Sequence, residues 1–191
     1  MQGAHLPGAP VARFVGERAD HKAAHHREPR PMKTSAKSRI PVYEIRLVQS
    51  RNPLLLAEPR ASDSRTAARA LHSLIGLTDR EHLACLFVGA QGDITGAHVI
   101  AVGGQTAIGA IDVRVILRAA LAACANALIL GHNHPSGNPM PSNEDIASTA
   151  VIMRAANLLV IPVLDHVIVT RDEHRYYSMF DQGTLPAPSN P

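Results

Sequence analysis

The segment Gly131–Asp145 concentrates side chains that can bind a metal ion. His132 and His134 are two residues apart, so on an extended segment their imidazoles project from the same face. Asp145 follows in what the sequence predicts to be the first turn of a helix, so a strand end and a helix start can converge on one point. Two imidazoles and one carboxylate are a donor set of catalytic zinc sites, which keep a further position for water. No cysteine is near in the sequence, so the pattern favours an open zinc site over a closed structural one.

Hydrolysis at such a site needs a general base, and two glutamates are candidates. Glu144 is adjacent to Asp145 in the sequence, and neighbours on a helix point about 100° apart. Glu81 opens the apolar strand predicted at 81–88, where a carboxylate at the mouth of the strand is placed to reach a metal-activated water. This reasoning favours Glu81 and leaves Glu144 open.

Local structure offers a second explanation for part of the pattern. Ser142 and Asp145 have the spacing of a capping box, in which a serine and an acid three residues later satisfy free backbone N–H groups at a helix start. The two histidines, taken alone, fit polar loop residues better than ligands. Capping and catalysis do not exclude each other, because the backbone and the side chain of Ser142 can serve different partners.

The elements that must position these residues alternate between strands and helices. Periodicity predicts strands at 42–48, 81–88, 94–102, 127–130, 158–164, 166–170 and 176–179, and helices at 62–75, 112–127 and 142–157. The Gly- and Pro-rich segment 131–141 is predicted to be irregular. Asp165 and His166 are interpreted as a turn between two apolar strands, with the histidine hydrogen-bonded. The order of elements predicts an α/β fold with one layer of sheet between helices.

Length and composition fit one globular domain. The chain has 191 residues, of which 46% are hydrophobic and 18% charged, both ordinary values for a folded domain. Aromatic residues make up only 3% and there is no Trp, which argues against a stacking platform for single-stranded nucleic acid. Cys85 and Cys124 lie in apolar runs and are predicted to be buried, free thiols. No apolar run approaches the roughly 18 residues of a membrane span, and no signal segment is recognisable, so we expect a cytoplasmic protein without membrane contact.

Positive charge is concentrated in residues 1–40. This segment holds eight Lys or Arg against three acids, whereas the net charge of the whole chain is +3. Because it has little apolar periodicity, it is predicted to be a basic, disordered tail, followed by one domain at 41–185 and a Pro-rich tail at 186–191. The charge is scattered, which favours a solubilising extension or a start codon placed too far upstream over a weak contact with nucleic acid.

The chemistry-bearing residues also match a known family at fixed offsets. Their arrangement resembles the JAMM/MPN+ metalloprotease motif, with these matching positions: His132-x-His134, seven residues, Ser142, two residues, Asp145, and Glu81 as the upstream glutamate. More closely, the segments 129–137, 141–146 and 164–168 resemble the RadC-like JAB-domain proteins of bacteria, and the resemblance covers about residues 41–185. It implies a single JAB/MPN-type α/β domain, a mixed sheet packed between helices, with a zinc site at a strand end and the following helix start.

The resemblance further implies a zinc-dependent hydrolase of the metallopeptidase or isopeptidase type. The metal ligands for Zn²⁺ would be His132, His134 and Asp145. Glu81 would act as the general base and then as the acid, and Ser142 would hydrogen-bond the oxyanion or the metal-activated water. The substrate would be a peptide or an isopeptide, although no residue identifies which one. A second hypothesis is a DNA-repair-associated accessory module that binds nucleic acid and has a structural or vestigial zinc site.

Overall fold

The computed structural model describes residues 48–51, 53–56, 59–102 and 112–187, without the side chains of residues 101 and 102. Its elements are α1 (Ser64–Leu71, continued by a π turn at His72–Gly76), β1 (His82–Val88), β2 (Ile94–Val102), α2 (Val113–Ala122), β3 (Ala127–Asn133), α3 (Asn143–Leu158), β4 (Val163–Val169) and β5 (Tyr176–Ser178). This order confirms the predicted α/β alternation.

The strands form one mixed sheet in the order β2-β1-β3-β4-β5. β3 and β4 are parallel, and the other neighbouring pairs are antiparallel. A parallel pair needs a crossover connection, and α3 supplies it here. The nine residues 134–142 connect the end of β3 to the first turn of α3, so the two candidate ligand segments can meet there.

Helices cover both faces of the sheet, as predicted. One face packs against α2 and α3, and its buried contacts are Leu83, Cys85, Phe87, Leu128 and Leu130 with Ile116, Ala120, Ile152 and Met153. The opposite face packs against α1, through Ala84, Leu86, Val88, Ile129, Val167 and Val169 with Ala67, Ala68, Ala70 and Leu71. Gly131 is required at the α1 contact, because a Cβ there would lie 2.4 Å from the methyl groups of Leu71.

Two predicted boundaries on either side of β3 are wrong. α2 ends at Ala122 and not at 127, because the chain reverses at Cys124, whose φ of +51° is incompatible with a continuing helix. β3 runs to Asn133, three residues beyond the predicted end at 130 and into the segment predicted to be irregular. The polar end of the strand is kept because His132 pairs with β1 and β4, and Asn133 pairs with Val169 of β4.

The predicted pair of strands at 158–164 and 166–170 is also wrong. α3 continues to Leu158, the chain reverses at Val160 with φ of +58°, and a single strand covers Val163–Val169. Asp165 and His166 therefore lie inside β4 and not in a turn. The strand tolerates Asp165 because Ser178 Oγ and the Phe180 backbone N–H donate to its carboxylate, at 2.6 and 2.9 Å.

Some predictions lie outside the described residues. These are the tail at 1–40 and most of the strand at 42–48, of which only Val48 is described, outside any strand. The domain limits stay predictions. Of the two free cysteines, Cys85 is buried as predicted, whereas Cys124 is exposed, so that part of the prediction is wrong. Within the described ranges, no helix has the length and the hydropathy needed to cross a bilayer, and the cytoplasmic location stays a prediction.

Candidate metal centre

His132 and His134 project together from the end of β3. The ladder with β4 continues past the last strand residue, because the His134 backbone N–H donates to the carbonyl of Val169 at 2.9 Å. The backbone between the two histidines is therefore held extended, which places alternate side chains on one face. The two Nε2 atoms lie 2.9 Å apart.

Asp145 reaches the same point from the first turn of α3. Ser142 caps this helix: its Oγ accepts from the Asp145 backbone N–H at 3.1 Å, and Asp145 Oδ2 accepts from the Ser142 backbone N–H at 2.8 Å and from the Ser142 hydroxyl at 2.7 Å. The capping box that the spacing allowed is therefore present. It also aims the carboxylate, because the same cap that starts the helix fixes the rotamer of Asp145.

The three side chains form one cluster whose ligand atoms all lie within 4.8 Å of one another. Asp145 Oδ1 is 3.4 Å from His132 Nε2, and Asp145 Oδ2 is 3.7 Å from His134 Nε2. The side chain of His132 is 1% exposed, whereas those of His134 and Asp145 are 14% and 21% exposed. One side of the cluster is therefore buried in the core, and the other is open to solvent.

Hydrogen bonding decides which nitrogen of His134 faces the cluster. Its Nδ1 lies 2.7 Å from the carbonyl oxygen of Asn138, which can only accept, so Nδ1 carries the proton. In the neutral ring, Nε2 then presents a lone pair to the cluster. Burial by itself lowers the pKa of His134, but the Asp145 carboxylate, the Asn138 carbonyl and the charge of Glu81 outweigh it and raise the pKa.

The carboxylate side of the cluster is strongly stabilised in its charged form. Burial by itself raises the pKa of Asp145, but hydrogen bonding with His132, His134 and Ser142 holds that pKa well below its usual range. An ionised carboxylate and an imidazole lone pair facing one point are the donors that a divalent transition metal requires, with geometry already in place. The residues present therefore fit a bound metal ion.

Two residues behind His132 were missed by the sequence reasoning. His132 Nδ1 lies 2.8 Å from Nε2 of His166 in β4, and His166 Nδ1 lies 2.5 Å from Oγ1 of Thr149 in α3. Burial holds the pKa of His166 well below its ordinary value, so the ring is neutral. In the parallel register His166 pairs with Leu130, so its imidazole lies on the face that carries His132, and only this non-local pairing could have identified it.

Asn133, between the two histidines, was also missed. Its Oδ1 accepts from the His82 backbone N–H at 2.7 Å, and its Nδ2 donates to the Arg80 carbonyl at 3.0 Å. The side chain of Asn133 is fully buried, and its two hydrogen bonds fix the backbone of both residues that flank Glu81. Glu81 itself precedes β1 and does not open it, and the antiparallel pairing of Leu83 with His132 brings it to the end of β3. The negative charge of Glu81 helps to raise the pKa of His134.

The fold and the cluster define an α/β domain with a candidate metal centre at one edge of a mixed sheet. A family model for the RadC-like JAB domain matches residues 61–184, and the chain belongs to this family. The match includes Glu81, the whole His-His-Asp cluster and the residues behind it.

The relatives that match this chain share the name UPF0758 protein. The chain is 36% identical to a UPF0758 protein of Porphyromonas gingivalis over 124 residues, which are 65% of this chain and 54% of that protein. It is 38% identical to a UPF0758 protein of Methanococcoides burtonii over 106 residues, 56% of this chain and 45% of that protein. A UPF0758 protein of Chlorobaculum tepidum is 40% identical over 106 residues, 56% of this chain and 46% of that protein. The chain spans about half the length of these relatives.

Proposed function

We propose that this domain is a zinc-dependent metallohydrolase of the metallopeptidase or isopeptidase type. The observation that carries the proposal is the convergence of His132, His134 and Asp145 on one solvent-accessible point, beside the segment that holds Glu81. Membership in the RadC-like JAB family supports it, because the JAMM pattern found in the sequence is a metalloprotease pattern.

Zinc would be held by Nε2 of His132, Nε2 of His134 and the carboxylate of Asp145. When bound, it would supply a Lewis acid that polarises a substrate carbonyl and lowers the pKa of a water molecule. The chain's contribution is to hold these donors in place from two separate elements, the paired end of β3 and the capped start of α3, so that little reorganisation is needed on binding.

Glu81 is the proposed general base. Its carboxylate would take the proton of the attacking water and later deliver it to the nitrogen of the departing amine. Glu81 is partly buried and its charge is felt at His134, whereas the alternative, Glu144, is exposed in the first turn of α3. The clamp of Asn133 on Arg80 and His82 supports the choice, because a general base must be held within reach of its proton.

Ser142 contacts a proposed ligand directly. Its hydroxyl donates to Asp145 Oδ2 at 2.7 Å and is therefore engaged. We propose that Ser142 orients the Asp145 carboxylate. A hydrogen bond to the oxyanion would additionally require the hydroxyl to release Asp145 when substrate binds.

The substrate class follows from the chemistry of such a site: an amide carbonyl in a peptide or an isopeptide. The open side of the cluster, at His134 and Asp145, is where the amide would approach. No described residue selects one amide over another.

The test begins with metal content. The full chain, purified without a His-tag, is analysed by elemental mass spectrometry beside His134→Ala. We expect near-stoichiometric zinc in the wild type and its loss in the variant. Absence of zinc from the folded wild type, even after zinc is added back, would overturn the proposal.

Hydrolysis is then tested with Glu81→Gln on a panel of peptide and isopeptide substrates. We expect the variant to keep its zinc and to lose activity by roughly 10²–10⁴-fold, the usual worth of a general base. Full activity in Glu81→Gln would remove Glu81 from this role, and the same panel with Glu144→Gln would then test the alternative.

A contact with nucleic acid is a second proposal, and the charge of residues 1–40 supports it. Deleting these residues should abolish DNA affinity, and the affinity of the full chain should fall steeply with salt. DNA binding that survives both the deletion and high salt would contradict this proposal.

A further inference from the structure

A buried chain of hydrogen bonds runs from the Asp145 carbonyl oxygen through Thr149 and His166 to His132. Thr149 Oγ1 lies 2.6 Å from the Asp145 carbonyl oxygen and 2.5 Å from His166 Nδ1. His166 Nε2 lies 2.8 Å from His132 Nδ1. The far nitrogen of His132, Nε2, then faces the Asp145 carboxylate at 3.4 Å. His166 is 2% exposed and Thr149 is fully buried, so water does not compete for these bonds.

The donors and acceptors in this chain can be ordered in one way. The Asp145 carbonyl can only accept, so the single hydroxyl proton of Thr149 points to it. The Thr149 oxygen must then accept from His166, which places the His166 proton on Nδ1. A second proton on this buried ring would be a buried charge, which is costly, so His166 Nε2 is an acceptor. His132 Nδ1 must therefore donate to it.

The consequence reaches the metal centre. A histidine whose Nδ1 carries a proton and donates it to a neighbour presents Nε2 as its binding atom, and the same bond fixes the plane of the ring. His132 Nε2 is the atom that faces His134 and Asp145. Side chains from β4 and α3 therefore fix the orientation of the His132 imidazole in β3.

We propose that His166 and Thr149 are positioning residues that select the metal-binding tautomer of His132. The inference rests on the proposed function, since it gives the pair a role toward the metal. It assigns them no contact with substrate. The alternative is that the two side chains only satisfy each other in the core and contribute nothing beyond stability.

Thr149→Val separates the two roles, with Thr149→Ser as its matched control. Valine keeps the shape of threonine but removes the acceptor for His166 Nδ1. The tautomer of His166 with its proton on Nε2 is then favoured, because that proton can still be donated to His132 Nδ1. His132 Nδ1 must then accept, and its own proton sits on Nε2, where zinc has to displace it. Serine keeps the hydroxyl and the order of the bonds.

The first measurement is the protonation of His132 in the zinc-free, full-length chain, read from long-range ¹H–¹⁵N spectra of the histidine rings. We expect a protonated Nδ1 in the wild type and in Thr149→Ser, and loss of that proton in Thr149→Val. A wild-type His132 protonated on Nε2 alone would overturn the proposal, whatever the metal measurements give.

The second measurement is zinc affinity by competition with a chromophoric chelator. Removal of a residue that orients a metal ligand typically weakens binding by roughly 10–100-fold, and we expect this range for Thr149→Val and near-wild-type affinity for Thr149→Ser. Equal affinity in all three proteins, together with an unchanged His132 spectrum, would show a merely structural role.

A second pair of variants keeps the test decisive if Thr149→Val does not fold. His166→Gln retains an acceptor and a donor on a planar amide, whereas His166→Leu retains neither. The glutamine variant should bind zinc more tightly than the leucine variant, and the reverse order would contradict the proposal. A wild-type chain that takes up no zinc would instead count against the proposed function, while the ring spectra would still decide the order of the bonds.

Discussion

The two histidines of the candidate centre are held in opposite ways. His132 is 1% exposed and is oriented by side chains from two other elements, His166 and Thr149. His134 is 14% exposed and is oriented by a backbone carbonyl four residues along its own loop, that of Asn138. We call His132 with His166 and Thr149 the buried half of the centre, and residues 134–145 the exposed half.

The difference has a physical basis. Every residue has a backbone carbonyl, so an exposed loop can orient a metal ligand without requiring a particular side chain. A buried imidazole has no water as an alternative partner, and the partner of His132 is the side chain of His166, which in turn bonds to the side chain of Thr149. The buried half should therefore be sensitive to substitution in both stability and metal binding, and the exposed half mainly in metal binding.

The largest expected effect is the difference in the free energy of unfolding between His132→Ala and His134→Ala. Both variants should lose zinc, because each lacks a ligand. In zinc-free protein, His132→Ala should also lower the free energy of unfolding by about 2–5 kcal/mol, since it leaves a cavity and an unsatisfied His166 Nε2. His134→Ala should cost less than about 1 kcal/mol, as for other partly exposed positions. Urea unfolding with a chelator present measures both, and equal losses would break the comparison.

Two glycines extend the comparison to the backbone. A Cβ at Gly131 in β3 would meet Leu71 of α1 at 2.4 Å, whereas nothing lies within 4 Å of a Cβ at Gly137, whose φ is +80°. Gly131→Ala should cost about 1–3 kcal/mol through overpacking. Gly137→Ala should cost about 1–2 kcal/mol through backbone strain alone.

The readout that distinguishes these two causes is the effect of a larger residue in the same unfolding assay. Gly131→Val should be much worse than Gly131→Ala, because the added methyl groups also enter the packed contact with Leu71. At Gly137, side-chain size should matter little, since the site is open. A similar dependence on size at both positions would show that the loop is packed more tightly than its geometry indicates.

Ser142→Ala is expected to have an intermediate effect. The variant loses the cap of α3 and the hydroxyl bond to Asp145, which should cost about 1 kcal/mol of stability. Ser142→Thr retains both bonds and serves as the control. Zinc affinity should fall in the alanine variant alone, because only there does the Asp145 carboxylate lose the hydroxyl bond and keep just the backbone N–H of residue 142. Unchanged zinc affinity in Ser142→Ala would mean that the cap does not orient the ligand.

The exposed half and His132 were predictable from the sequence, whereas His166 and Thr149, the rest of the buried half, were not. The spacing of Ser142 and Asp145 indicates a helix cap, and the spacing of His132 and His134 indicates a shared face. Both relations are local, and the structure brings the His-His-Asp cluster together as the spacing predicts.

His166 depends on a parallel strand pairing across a helical crossover, which no local pattern encodes. The interpretation of Asp165 and His166 as a turn failed for the same reason. Polar residues inside an apolar segment indicate the end of a strand unless their buried partners are known. Here those partners are Ser178 for Asp165 and Thr149 for His166. Asn133 was missed likewise, because its partners lie at the start of β1.

The smallest effect is expected at Asn138, and it tests the backbone side of the comparison directly. The carbonyl that receives the His134 Nδ1–H belongs to the main chain and survives any substitution. Asn138→Ala removes only a side-chain acceptor for the Met140 backbone N–H, at 3.2 Å in an exposed loop. A single exposed hydrogen bond is worth about 1 kcal/mol or less, so zinc affinity should change by no more than about fivefold. A tenfold loss in the same chelator competition would mean that the Asn138 side chain holds the loop in place, and the exposed half would then depend on side chains as the buried half does.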